Sequence, residues 1–252
     1  MKRIASLLTV TALLLGCLFA FGGCSGETKD GKYALSDSTF LLYTQKDDEI
    51  TITKSEGEVK QVTIPSKIDD KPVVAIADDA FDDNTTVTSV VIEEGVTTIG
   101  ERAFYGCRSL TSITFPNTLK TIKMGAFMGC VSLTEVVLPN SLTTLEKMSF
   151  ADCGKLESLT LSTGLTTLTE AQVALCASLQ SLVVPEGITK MEKNQFMYCS
   201  KLQSVTLPAS LTEIGDWVVG DCPALEEIHV PAGSFAETWC KENGFADVIV
   251  TE

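Results

Sequence analysis

Apolar and polar residues alternate in short runs along most of the chain, and a turn follows each run. In Leu110–Pro116 (LTSITFP), Ile113 points to one side, while Ser112 and Thr114 point to the other. Alternation with a period of two is typical of a half-buried β-strand. After the turn comes a segment such as Ile99–Cys107 (IGERAFYGC), whose apolar spacing predicts a short helical arc.

This strand–turn–arc unit recurs every 23 residues, which gives seven repeats over 76–233. One unit cannot bury its own apolar face, so neighbouring units must stack to form a continuous core. The pattern therefore predicts an α/β repeat solenoid of leucine-rich-repeat type, with one parallel sheet, short helical arcs and a cap at each end. The first position of the unit is always apolar, at Ile76, Ile99, Ile122, Leu145, Leu168, Met191 and Ile214.

Cysteines share the ninth position of six consecutive repeats, at Cys107, Cys130, Cys153, Cys176, Cys199 and Cys222. A small thiol suits a tight buried site, and free cysteine is among the most buried residue types. We interpret the series as reduced thiols in the core. Disulfides between adjacent coils and a metal site are the alternatives. Cys240 lies outside the series, and we expect it to be partly exposed.

The two ends of the repeat region require caps, because an open solenoid end exposes apolar side chains and strand edges. Residues 37–75 are predicted to form the N-terminal cap and first coil, with strands in Phe40–Thr53 and Lys60–Pro65. Residues 234–252 are predicted to form a C-terminal capping helix and strand.

The predicted C-terminal helix begins with a capping box. Ser234 is expected to accept from the Glu237 N–H, and Glu237 to reach back to Ser234. Phe235 and Trp239 lie four residues apart, so both are expected to cover the last coil. For Trp239, stacking against a ligand is the alternative.

The N-terminus has the features of a bacterial export signal over 1–23. Lys2 and Arg3 precede the apolar run Ile4–Phe21, and small residues then lead to Cys24. The pattern resembles a lipoprotein signal, which implies that Cys24 is acylated and that 24–36 is a polar tether. Processing at Cys17 and an uncleaved membrane anchor are the alternatives. We therefore expect an exported protein that is lipid-anchored on the extracytoplasmic side of the cell membrane.

The run AFYGCRSLTSITFPNTLKTI, residues 103–122, resembles the cysteine-bearing leucine-rich repeat of the BspA-like family of bacterial surface proteins. The resemblance covers Ile76–Pro231. It implies adhesion to host cells, matrix proteins or other bacteria, with a protein or glycan as the partner.

The composition and the remaining motifs offer little catalytic chemistry. The net charge of −14 argues against a nucleic-acid partner. His229 is the single histidine and has no neighbouring nucleophile in the sequence. The four aspartates within 78–83 lack the ligand spacing of a calcium loop. We therefore expect no enzyme activity, no cofactor and no metal. A passive envelope or spacer protein is the alternative to a binding module.

The outward side of the predicted sheet is the candidate partner-binding surface. In solenoids of this type the sheet lines the concave side, which is the usual binding surface. One outward row, the serine row, contains Ser89, Ser112, Glu135, Ser158, Ser181, Ser204 and Glu227. The other, the threonine–valine row, contains Val91, Thr114, Val137, Thr160, Val183, Thr206 and His229. Together these rows are called the sheet face.

Overall fold

The computed structural model describes residues 28–251, and the chain winds into a β-solenoid after a group of N-terminal strands. These strands are β1 (Thr28–Ala34), β2 (Phe40–Lys46), β3 (Glu49–Glu56), β4 (Gln61–Ile64), β5 (Lys67–Ile68) and β6 (Lys71–Ile76). Strands β1, β2 and β3 form an antiparallel meander, and β3 pairs in parallel with β6. The predicted signal peptide, with Cys17, and the predicted acylation site at Cys24 lie outside the described residues.

Strand β1 occupies much of the segment that was predicted to be a polar tether over 24–36. It pairs residue by residue with β2. Tyr33 packs against the core, and Lys32 forms an ion pair with Glu56 at 2.9 Å. The strand is polar because it lies at the edge of the sheet, where most of its side chains face solvent. The tether prediction is therefore wrong from Thr28 onward.

Each repeat contains one strand of three or four residues and, from the second repeat onward, one of two residues, whose place in the first repeat is taken by the end of β6. In chain order they are β7 (Ser89–Ile92), β8 (Thr98–Ile99), β9 (Ser112–Thr114), β10 (Thr121–Ile122), β11 (Glu135–Val137), β12 (Thr144–Leu145), β13 (Ser158–Thr160), β14 (Thr167–Leu168), β15 (Ser181–Val183), β16 (Lys190–Met191), β17 (Ser204–Thr206), β18 (Glu213–Ile214) and β19 (Glu227–Val230).

Both kinds of strand form parallel pairs with their equivalents in adjacent coils, except at the junctions β9–β11, β12–β14 and β13–β15, so the prediction of one parallel sheet is wrong. Val90 lies opposite Ile113 among the longer strands, and Ile99 lies opposite Ile122 among the shorter ones. The second series of pairs arises because the residues after each turn are extended and fall in register every 23 residues. The first position of the unit, which the sequence pattern identified as apolar, belongs to these short strands.

The arc of each repeat, the eight residues after the short strand (77–84 in the first repeat and 100–107 in the second), is not helical. Two positions in every arc have a positive φ between 50° and 76°. A left-handed residue interrupts a right-handed helix, and two in eight residues prevent one. The affected residues are Asp79, Asp83, Arg102, Gly106, Gly125, Gly129, Met148, Asp152, Ala171, Leu175, Asn194, Tyr198, Trp217 and Asp221.

Hydrogen bonds between coils explain why this conformation replaces the predicted helix. The amides of Arg102, Phe104 and Gly106 donate to carbonyls of the next coil, with N–O distances of 2.8–3.0 Å. Every second amide of the arc therefore donates its hydrogen bond to a neighbouring coil, as in a sheet. These amides cannot also form the intrahelical hydrogen bonds of an α-helix. The predicted helical arcs and the α/β class are therefore wrong, because the repeats are built from strands and turns.

The core lies between the two series of strands and the arcs. The aromatic position of the arc places Phe81, Phe104, Phe127 and Phe150 in a continuous stack, with ring centroids 4.7–5.2 Å apart and nearly parallel planes. All four are almost completely buried. The stack shows that a recurring aromatic position in the sequence corresponds to one shared packing site in the fold.

The cysteine series lies in this core as reduced thiols. Each thiol donates to the backbone carbonyl of the residue 26 positions earlier, with S–O distances of 2.9–3.3 Å. Every cysteine among residues 28–251 is unpaired, so the disulfide alternative is wrong for this series. Cys222 is only half-buried because it belongs to the last coil. Asn84 takes the cysteine position in the first repeat, where its side chain accepts from the amides of Thr86 and Val87.

The C-terminal end is closed by helix α1 (Phe235–Glu242), a 3-10 turn (Ala246–Val248) and strand β20 (Ile249–Thr251), which pairs with β19. Ser234 accepts from the Glu237 N–H at 3.1 Å, as predicted. Glu237 instead accepts from the amide of Gly233, one residue earlier than expected, at 2.6 Å. The capping box is therefore reciprocal, but it is shifted at one of its two bonds.

The face of α1 that packs on the last coil differs from the prediction. Ala236 and Cys240 are buried, whereas Phe235 remains 43% exposed. Trp239 is partly buried and stacks on Phe245, with ring centroids 5.6 Å apart. Cys240 was expected to be partly exposed and is fully buried, because it lies four residues after Ala236 on the inner side of the helix.

Candidate binding face

The structure places both predicted outward rows on the solvent side of the longer strands. Glu135 lies opposite Ser158, and Val137 lies opposite Thr160, in the β11–β13 pair. In these strands the central residues, Val136 and Leu159, point into the core. The same alternation holds from β7 to β19, so the sequence pattern correctly identified which side chains face solvent.

The rows are most exposed in the middle of the solenoid. Val137 and Val183 are 56% and 63% exposed. Toward the C-terminal end, Ser204, Thr206 and His229 are half-buried. The His229 Nε2 atom lies 3.0 Å from the Glu227 carboxylate. The sheet face is thus an exposed strip of hydroxyl groups and small apolar side chains.

Two openings interrupt the pairing of the longer strands. Among the described strands, β9 pairs with β7 but not with β11, and β13 pairs with β11 but not with β15. The unpaired neighbours still lie side by side. Each opening forms a groove in the sheet face, of about 500 Å³ between β9 and β11 and about 690 Å³ between β13 and β15. We call them groove A and groove B.

The two grooves are equivalent positions 46 residues apart in the chain. Each lining residue of groove A has its counterpart in groove B, including core residues Ile113 and Leu159 in the two floors. These residues are 9% and 7% exposed, whereas Val136, Leu182 and Val205 in the other central strands are at most 2% exposed. The openings therefore admit solvent as far as the edge of the core.

The grooves are not predicted by the polarity pattern, although the sequence contains one signal of them. Threonine and valine alternate in the threonine–valine row, which gives a period of two coils. The open junctions are those where threonine precedes valine, at Thr114–Val137 and Thr160–Val183. The grooves are also lined by residues outside the two rows, which are Thr111, Ile113, Phe115, Asn117, Thr134, Pro139, Glu157, Leu159, Leu161, Thr163, Gln180 and Pro185.

The charge of this region has one sign. In the longer strands β9, β11, β13, β15, β17 and β19 and the residue preceding each, the charged side chains are Glu135, Glu157, Glu226 and Glu227. These described positions include neither lysine nor arginine. Groove A contains Glu135, and groove B contains Glu157. The sheet face therefore favours a partner that is neutral or basic.

The other groups that could carry chemistry have structural roles. Burial raises the pKa of Cys107 and Cys199 to about 12, and it raises those of Cys130, Cys153 and Cys176 well above the usual value. Such thiols are neutral at physiological pH and are poor nucleophiles. Within residues 28–251, no three His, Cys, Asp or Glu side chains cluster in a way that could hold a metal ion.

The aspartates of the first arc are engaged in contacts between coils. Asp78 accepts from the Glu101 amide at 2.8 Å and from the Lys123 ammonium at 3.1 Å. Arg102 pairs with Asp82 at 2.8 Å. The bond from the Glu101 amide is the main cause of the lowered pKa of Asp78. These carboxylates therefore join neighbouring arcs.

In the part of the chain that the structure covers, no helix has the length and apolar character needed to span a membrane.

Comparison with known proteins identifies the repeat type. Six copies of a family model described as the BspA type leucine-rich repeat region match residues 74–200 and 120–241. The crystal structure of the T. pallidum leucine-rich repeat protein TpLRR is similar, with 27% identity and a TM-score of 0.69 over 84% of this chain and 95% of that one. No match to a curated protein is found.

A second similar structure is that of a leucine-rich repeat protein from Bacteroides ovatus. It has 23% identity and a TM-score of 0.56, and the match covers 80% of this chain and 62% of that one. At this identity the likeness concerns the fold alone.

Proposed function

Because the chain belongs to the family of BspA-type leucine-rich repeat proteins, we propose that it is a surface-anchored binding module without catalytic activity. Its sheet face contacts a protein or glycan on a host cell or a neighbouring bacterium. The anchor is a lipid on Cys24, which holds the solenoid on the extracytoplasmic side of the membrane.

The exposed sheet face is the observation that carries this proposal. Its hydroxyl and valine side chains form a strip that contains the two open grooves. Open, shallow grooves suit an extended macromolecule better than a small molecule, which needs an enclosed pocket. Valines that remain more than half exposed are also favourable sites for contact with a partner.

The proposal is tested by placing two arginines on the sheet face of the full-length protein. Thr114 and Thr160 are exposed, so Thr114→Arg with Thr160→Arg leaves the core unchanged. The readout is capture of host matrix proteins, host cells and other bacteria by the purified protein in mild detergent. We expect capture by the wild type and loss of capture by the double variant.

A matched variant controls for added charge. Thr143→Arg with Thr166→Arg introduces the same groups at exposed positions beside the short strands, away from the sheet face. This variant should capture normally. Undiminished capture by a folded sheet-face variant would move the site elsewhere, and a wild type that captures nothing would favour a passive envelope or spacer role.

A further inference from the structure

A cleft of about 370 Å³ lies at the C-terminal end of the solenoid, between the last arc and the capping segment. The last arc contributes residues 216–221, and the capping segment contributes Trp239, Asn243 and Phe245. None of the lining residues belongs to the sheet face. The chain has two tryptophans, Trp217 and Trp239, and both line this cleft.

Trp217 is exposed at a position where neither the core nor the backbone favours a large side chain. It is 68% exposed, the highest value among the exposed apolar side chains of residues 28–251. Its φ of 55° is one that bulky residues rarely adopt, and Gly125 occupies the equivalent position of an earlier coil. A Cβ on Gly220 would lie 3.4 Å from the Trp217 ring, so the ring rests against the backbone of its own arc. Such a ring is suited to contact with a partner.

Two carboxylates line the same cleft without a basic group beside them. Asp216 and Asp221 belong to the same arc as Trp217. Neither aspartate forms an ion pair within residues 28–251, and the lining includes neither lysine nor arginine. The aspartates of the first arc, by contrast, pair with basic side chains of later coils. The charge of the cleft is therefore complementary to a cation.

The solenoid already holds one arginine by the same combination of groups. The Cζ atom of Arg102 lies 4.6 Å from the centroid of the Tyr105 ring. Its guanidinium group also pairs with Asp82 at 2.8 Å and with Asp79 at 3.4 Å. Trp217 occupies the position of Arg102 in the repeat. The last arc thus provides an aromatic ring and two carboxylates, but not the guanidinium group that such groups hold in the second coil.

We propose that this cleft binds an arginine side chain of a partner protein, with the guanidinium group stacked on Trp217 and hydrogen-bonded to the carboxylates of Asp216 and Asp221. The inference goes beyond the proposed function, because it assigns a second contact site outside the sheet face.

The chemistry of the cleft favours arginine over other cations. A guanidinium group is planar, stacks on aromatic rings and directs several N–H donors toward carboxylates. The ammonium group of lysine is a compact and strongly hydrated charge, so it stacks less well. A quaternary ammonium group has no N–H to donate to either carboxylate. Tryptophan is also the aromatic residue that attracts cations most strongly.

The two tryptophans provide the readout, because their fluorescence reports on this cleft alone. The full-length protein in mild detergent is titrated with the capped peptide Gly-Arg-Gly at low and constant ionic strength. Control peptides carry lysine or citrulline in place of arginine, and citrulline keeps the shape of the side chain without its charge. We expect a saturable change in fluorescence with the arginine peptide. The citrulline peptide should bind about tenfold more weakly, because a cation–π contact and an ion pair are each worth about threefold.

A pair of aspartate variants tests the role of charge in the cleft. Asp221→Asn should weaken binding of the arginine peptide by about threefold. Asp152→Asn is the matched control, because Asp152 is exposed at the same repeat position of an earlier coil and does not line the cleft. Both aspartates have a positive φ, which asparagine also adopts. The control should leave the affinity unchanged.

A pair of aromatic variants tests the stacking. Trp217→Gly copies the residue at the equivalent position, Gly125, and should weaken binding by about threefold, with Trp239 as the remaining reporter. Tyr198→Gly is the control, because Tyr198 is a second exposed aromatic residue with a positive φ that does not line the cleft. Circular dichroism checks that each variant is folded.

Equal affinity for the arginine and citrulline peptides would overturn the inference, and this comparison needs only the wild type. Equal effects of the cleft and control variants would also overturn it, as would tighter binding of tetramethylammonium or of a neutral oligosaccharide. Sedimentation velocity tests a second copy as the occupant: a wild-type dimer that Trp217→Gly dissociates would assign the cleft to self-association. Capture of surfaces through the sheet face is a separate measurement, so either proposal can fail while the other stands.

Discussion

The thiol of Cys153 donates a hydrogen bond to the backbone carbonyl of Phe127, with the sulfur and oxygen atoms 3.3 Å apart. The two residues lie on adjacent coils, so the bond links one arc to the next across the core. The same relationship recurs in the other five members of the cysteine series. The thiol therefore satisfies a buried carbonyl that a purely apolar side chain would leave without this donor.

Thiol reactivity should follow burial. Among the described cysteines, we expect Cys222 to react first with a thiol reagent, because it is half-buried, whereas Cys240 and the five central members should be protected. After unfolding without a reductant, all seven should be labelled. Mass-spectrometric mapping of labelled peptides assigns each site, and labelling of Cys240 before Cys222 in the folded protein would contradict the structure.

Removing a central thiol should cost a modest amount of stability. Cys153→Ala deletes one buried atom and its hydrogen bond, so we expect the free energy of unfolding to fall by about 1–2 kcal/mol. Denaturant titration of wild type and variant measures the difference. A disulfide would cost about 2–4 kcal/mol when removed and would leave a new reactive thiol on a neighbouring coil. Such a thiol is not expected here.

The raised pKa values of the cysteines predict a loss of stability at alkaline pH. Burial holds the folded-state pKa of Cys107 at about 12, whereas an unfolded cysteine titrates near 8.5. The unfolded state therefore releases this proton first, so the stabilisation is complete below about pH 8.5 and declines as pH rises toward 12.

The measurement is the free energy of unfolding of wild type and Cys107→Ala between pH 8.5 and 10.5. Each buried thiol should contribute a loss of up to about 1.4 kcal/mol per pH unit, so the variant should have a shallower slope by roughly that amount. The two proteins differ only at residue 107, so the difference between their slopes isolates the contribution of this thiol. Parallel slopes would show that Cys107 is accessible to deprotonation in the folded state.

The aromatic stack should make a large contribution to stability. Phe127 is fully buried and lies between Phe104 and Phe150, with centroids 5.2 Å and 5.1 Å away. We expect Phe127→Ala to reduce the free energy of unfolding by about 3–5 kcal/mol. Phe235→Ala is the control, because Phe235 is 43% exposed, and it should cost much less. Similar losses in denaturant titrations of the two variants would contradict the packing.

Anchoring is tested at Cys24. If this cysteine is acylated, cells that grow with a clickable palmitate analogue should label the wild type, and Cys24→Ala should lose both the label and membrane retention. Cys17→Ala should keep both, because the apolar run continues beyond that position. Loss of label only in the Cys17 variant would move processing to the alternative site.

The sequence pattern predicted the parts of the fold that depend on side-chain polarity. The 23-residue period, the outward rows and the buried thiols follow from size and polarity at fixed positions. For example, Ser112 and Thr114 flank a buried Ile113 as alternation requires. The grooves escaped prediction because strand pairing depends on the backbone. Thr114 and Val137 are both compatible with a paired strand, yet their strands are separated.

The arcs escaped prediction for a related reason. Met148 and Trp217 adopt a positive φ although nothing in their side chains favours it, because hydrogen bonds between coils impose one conformation on every repeat. Gly106, Gly125 and Gly129 carried a partial signal at the equivalent positions, since glycine adopts this conformation readily. That signal was hidden by the apolar spacing, which fits a helix.

A glycine substitution tests this account of the arcs. Gly125 has a φ of 60°, and an added Cβ would come no closer than 3.7 Å to another side chain, so Gly125→Ala is strained by its backbone and not by a clash. We expect the free energy of unfolding to fall by about 1 kcal/mol, the usual cost of a left-handed alanine.

Gly154 is the matched control, because it lacks a left-handed φ and has open space around its Cβ position. Gly154→Ala should leave stability unchanged or raise it by about 0.4–1 kcal/mol, since alanine restricts the unfolded chain. Denaturant titrations should therefore show a loss of stability for Gly125→Ala and none for Gly154→Ala, and an equal effect at both glycines would refute the left-handed arc.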